Sequence, residues 1–204
     1  MLVPAMTLTD IRKEIEKDFP ILHRKSGYVT HKLSRMYADS LREKTVTRFF
    51  DYQSKYKNKW IYKVELSKKK STVTFLTYYY GKKGLTAIEP MSGNTLLYFT
   101  AHFFNRYNER RNLKLTMPND IMQAFLDDNM NFNFQRLEEF RPGVFKIFGV
   151  TQSGVVLGIY HVKLNFYKLN TFITSDMLKS GQVEMEQQLK DTLDILPMKS
   201  DCED

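Results

Sequence analysis

The chain has 204 residues, 42% hydrophobic and 26% charged, which is ordinary globular usage and sets the expectation of a packed core in one compact domain. A single cysteine, Cys202, excludes an intramolecular disulfide and any cysteine-based metal site, and no stretch approaches the ~18 apolar residues of a membrane span. The net charge is +8 and uneven: residues 1–90 hold 19 Lys/Arg against 9 Asp/Glu, residues 91–204 hold 12 against 14.

That asymmetry points to an anionic partner for the first part, RNA or another nucleic acid, with a merely Lys-rich soluble surface as the plainer alternative. No apolar run of signal-peptide length stands at the N-terminus, so a reducing interior, the cytoplasm, is the expected compartment, with no membrane association.

In chain order, residues 9–17 read as a short helix capped by Thr9 or Asp10 and stopped by Pro20. Residues 31–51 read as a longer helix, with Leu33, Met36, Tyr37 and Leu41 at three-to-four spacing. The β-branched run Thr45–Val46–Thr47 weakens its end. Trp60, Tyr62, Val64 and Leu66 then alternate with polar neighbours, as in a strand. Residues 72–80 and 85–89 continue a three-stranded meander, with lysine-rich turns at Lys68, Lys69, Lys70 and at Lys82, Lys83. These five lysines are the candidate nucleic-acid contacts, with Tyr78, Tyr79 and Tyr80 beside them as exposed rings able to stack on bases or to pair with a partner sheet.

Asn94 or Thr95 starts a helix that runs to about Leu113, and residues 121–126 form another. Residues 127–133 read as a polar connection. Residues 144–150 and 155–162 form a hairpin around Gly154, residues 167–173 a last strand, and a final helix runs from Ser175 or Asp176 to Ile195. The sum is an α+β protein: an antiparallel sheet of about six strands, packed by N-terminal, central and C-terminal helices. Residues 1–58 are the N-terminal helical segment, 59–196 the α+β core and 197–204 an acidic tail.

One constellation carries chemistry. On a helix from Thr95 onward, Leu96, Phe99, Phe103, Phe104 and Tyr107 share the core face, and His102, Arg106 and Glu109 form a stripe on its flank, with Arg110 close by. Imidazole supplies a proton acceptor and guanidinium a fork that matches a phosphate. The plainer reading is an ion pair of Glu109 with Arg106 or Arg110 along the helix, and His102 on a loop carbonyl. Downstream, His161 lies in a strand, and Thr171, Thr174 and the Ser175–Asp176 helix start could hold an anion or could be simple strand formers and caps. No Walker loop, dinucleotide fingerprint, nucleophile elbow or metal-ligand spacing is present, so no cofactor and no metal are expected.

The helix bearing His102-x-x-x-Arg106, the hairpin around Gly154 and the strand Thr171-Phe-Ile-Thr174 resemble the barnase/RelE-type group of small endoribonuclease toxins, including phage-borne relatives. The resemblance spans about residues 98–175 and leaves the N-terminal helices outside it. It implies metal-free cleavage of RNA by the substrate's own 2′-hydroxyl. His102 would be general base or acid, Arg106 with Arg110 would stabilise the phosphorane, and Thr171 or Thr174 would hold a phosphate oxygen, with Glu109 and His161 supporting. The alternative is a non-catalytic module that binds nucleic acid or a protein partner.

Overall fold

In the computed structural model, which describes residues 1–38, 45–68, 70–129 and 131–195, the first helix starts where Thr7 and Asp10 exchange hydrogen bonds as a capping box. This helix, α1, spans Leu8–Glu16. Pro20 does not merely stop it. It sits in the first turn of α2 (Phe19–Met36), where a missing N–H costs nothing. The chain divides into two units, Met1–Tyr79 and Tyr80–Ser200.

In the first unit α1 and α2 precede β1 (Val46–Gln53), β2 (Lys59–Leu66) and β3 (Ser71–Gly81), the last of which runs just past the boundary. The expected helix 31–51 is corrected on both sides. Its start belongs to α2, and residues 46–53 are a strand, as β-branched Val46 and Thr47 favour. Its middle, 39–44, lies outside the described residues. Phe50, Tyr62 and Phe75 form one cross-strand row, with the His23 ring of α2 against Phe75 at 5.4 Å. Asp18, between the helices, accepts from Asn58 Nδ2 and Trp60 Nε1, both at 2.8 Å, tying the helices to the β1–β2 turn. Buried Glu14 takes the Met1 ammonium and, at 2.7 Å, Lys17 Nζ, and these cations hold its carboxyl down at about 2.

The second unit holds β4 (Gly84–Met91), β5 (Thr95–Phe99), α3 (Ala101–Arg110), α4 (Pro118–Asp128), β6 (Asn133–Arg141), β7 (Val144–Thr151), β8 (Gly154–His161), β9 (Phe166–Ile173) and α5 (Ser180–Ile195). A 3-10 turn, Ser175–Met177, stands where the last helix was expected to begin. Its strand order is β4-β5-β9-β8-β7-β6. The α+β class stands, but the described strands number nine, and β5 pairs β9 in parallel, so the expected six-stranded antiparallel sheet is corrected. Two segments account for part of the difference. Residues 95–99 are a strand rather than a helix start, and β6 follows directly on what was read as a polar connection.

One face of this unit's sheet is an aromatic core. Phe99, Phe103, Phe104, Tyr107, Phe125 and Phe172 pack mostly edge to face, at centroid spacings of 5.0–6.3 Å. Tyr107 also donates to Asp128, and burial pushes its phenol far above the ordinary tyrosine value. On the opposite face, α5 seals one half by packing Met185 and Leu189 on Phe148, Val150, Val155 and Ile173.

Candidate functional site: a basic row on the second sheet face

The expected stripe does not sit beside the core. Because residues 95–99 are a strand, the buried face of α3 is centred on Phe103, Phe104 and Tyr107, and His102 and Glu109 point to solvent. Arg106 joins them, with Nε donating weakly to His102 Nε2 at 3.4 Å and a guanidinium nitrogen meeting Glu109 at 2.7 Å. This is the ion pair along the helix that was the plainer alternative.

Arg110 and Thr171 do meet, at 3.5 Å, but for a structural reason. Beyond Leu169, β9 has no β5 neighbour, and its edge carbonyls need donors. The Thr100 amide and hydroxyl take Leu169 O, the hydroxyl also reaches Asn170 O, and Arg110 donates to Phe172 O. Past Thr174, the Ser175 hydroxyl donates to the buried carboxylate of Glu186 at 2.6 Å, which offers no cradle for an anion.

Lys68 and half-buried Lys70 precede β3, and exposed Lys82 and Lys83 follow it. Lys69 lies outside the described residues. Tyr78 and Tyr79 are buried at 8% and 9% exposure, so only Tyr80 is an exposed ring, and its hydroxyl donates to Asn119 Oδ1.

What the fold does bring together is a set that the sequence disperses over strands β6 to β9. Arg141 pairs with Val144, Val144 with His161, and His161 with Phe166, a single cross-strand row in which Val144 and Phe166 are buried, His161 is half-buried and Arg141 is exposed. The next row runs Lys146, Ile159, Lys168 and Tyr98. Cross-strand pairing then places Arg141, His161, Lys146 and Lys168 on one face, with His161 two strands from Arg141 and one from Lys168. Tyr98 lies 5.6 Å from the Phe166 ring. Lys146 is engaged by Glu138 at 2.5 Å. Among the described residues, no carboxylate pairs with Arg141 or Lys168, and neither ring nitrogen of His161 has a hydrogen-bond partner. Burial first, then Arg141 and Lys168, push the imidazole below its ordinary value.

The turn from β8 to β9 builds this row. Asn165 adopts φ 43°, which asparagine tolerates, and its side chain donates to Gly93 O and Thr95 Oγ1 while accepting from Tyr160 Oη. The turn therefore fixes which residue faces His161. His161 was a sequence candidate, whereas Arg141, Lys146 and Lys168 were missed. The signal was the spacing His161-x4-Phe166-x-Lys168, legible only once the four-residue turn is seen. No family model, no curated protein and no solved structure matches the chain. Among the described residues there is no cluster of three metal-ligating side chains, and no helix is long and apolar enough to cross a membrane.

Proposed function

We propose that the protein binds single-stranded RNA or a chemically similar nucleic acid through the basic row of its second unit. The observation that carries this reading is the shared face of Arg141, His161 and Lys168, rich in donors and bordered by Tyr98. Arginine and lysine engage phosphate oxygens, and an aromatic ring beside them offers a base a stacking surface. The +10 balance of residues 1–90 supports it through long-range attraction of a polyanion.

The endoribonuclease reading is the weaker of the two. It needs His102, Arg106 and Thr171 to converge on one phosphate. His102 instead points to solvent, and Thr171 is held beside Arg110 within the fold. A mobility shift with a single-stranded RNA oligonucleotide at low salt tests the binding reading. A shift that weakens in Lys168→Ala and Arg141→Ala supports it. Equal binding by both variants moves the contact surface elsewhere, and RNA cleavage in EDTA that is lost in His102→Ala would restore the enzyme.

A further inference from the structure

Two cations, Arg141 and Lys168, flank a half-buried imidazole whose ring nitrogens have no hydrogen-bond partner among the described residues. On its face, His161 meets Arg141 from β6, Lys146 from β7 and Lys168 from β9, with Tyr98 from β5 beyond Lys168. Two carboxylates lie nearby, Glu138, already held by Lys146, and Glu139, which accepts from the Gly143 amide at 2.7 Å. Tyr167 and Tyr160 alternate to the opposite face, where Arg136 lies 4.3 Å over the Tyr160 ring. Without a ligand, a proton on His161 adds a third positive charge to a self-repelling group. With an oxyanion between the cations, the same proton gains an attractive partner and a hydrogen-bond acceptor.

Proton and anion therefore favour each other at this site, and such coupling is reciprocal. We infer that His161 takes up a proton when a phosphate group binds in the Arg141–His161–Lys168 row, so that phosphate-bearing ligands bind more tightly at mildly acidic than at alkaline pH. This rests on the nucleic-acid-binding reading and adds a specific chemistry to it: the site recognises the phosphate as an imidazolium-bearing triad rather than as two fixed cations. The other histidines are placed elsewhere. His23 lies against Phe75, His31 is exposed on α2, and His102 belongs to the α3 stripe.

The test uses the full chain and a labelled single-stranded RNA oligonucleotide at constant low salt, from pH 5.5 to 8.0. Affinity should rise as pH falls, by up to ~10-fold per pH unit, the limit for one coupled proton. Calorimetry of the unaltered protein in two buffers of different ionisation heat should register uptake of a proton near pH 6.5. His161→Gln should flatten the profile at the weak, alkaline level, and His161→Lys should flatten it at the tight level. Binding whose pH profile is unchanged in His161→Gln, or that takes up no proton, overturns the inference and leaves the binding reading intact. Absence of binding at every pH overturns the binding reading itself. Should either variant fail to fold, the two-buffer calorimetry on the unaltered chain decides alone.

Discussion

Arg106 and Arg110 stand one helical turn apart, yet the fold uses them differently. Arg110 supplies a donor to the unpaired Phe172 carbonyl, whereas Arg106 pairs with Glu109 in solvent. Arg110→Ala should therefore cost roughly 1–3 kcal/mol in urea denaturation, while Arg106→Ala should cost under ~0.5 kcal/mol, as expected for an exposed pair. Equal losses would contradict this assignment. The two arginines look alike in the sequence, because the difference depends on where β5 leaves β9 without a neighbour. Glycines make the same point. A Cβ on Gly158 would lie 2.0 Å from Lys168 O, at the irregular β8–β9 register, so Gly158→Ala should destabilise by at least ~2 kcal/mol. Gly27, on the exposed side of α2 with nothing within 4 Å, should accept alanine with a gain of about 0.5–1 kcal/mol.

Among the elements, β2, read from alternation, and β3, β7 and β8, read from β-branched and aromatic runs bounded by turn residues, lie within one or two residues of their expected ends. The elements that failed share a cause. Leu96 and Phe99 fit a helical face as well as a strand, and only the Thr100 cap, which receives the Phe103 amide, marks where α3 begins. β6 is an edge strand with exposed charged positions and register shifts, so it lacks the apolar alternation of a central strand. The missed part of the candidate site follows from that, since Arg141 ends β6. The junction of α1 and α2 carries a pH prediction. Glu14 is depressed from an ordinary 4.5 to about 2, so its contribution is complete above ~4.5 and is lost as pH falls towards 2. Acid titration of stability should show this loss, and Glu14→Gln should remove that part of the acid limb while lowering stability at pH 7. An unchanged acid limb would place the loss in other carboxylates.

For the whole molecule, net charge indicated a class of partner but not a place. The positive excess lies in residues 1–90, yet Lys68 and Lys70 precede β3 whereas Lys82 and Lys83 follow it. In the half whose balance is negative, strand pairing gathers Arg141 and Lys168 around His161, while acids such as Glu138, Glu109 and Glu186 pair with neighbouring lysines or arginines. Charge counted along a chain averages over such pairing, and register undoes the average. The salt dependence of RNA binding measures this most directly. With log Kd plotted against log salt, the unaltered chain should give a slope that falls by ~0.7 for each phosphate contact removed in Arg141→Ala and again in Lys168→Ala, whereas Lys68→Ala should change it little. A slope unaffected by Arg141→Ala and Lys168→Ala, but reduced by Lys68→Ala, would contradict the account and return the nucleic-acid surface to the lysine turns.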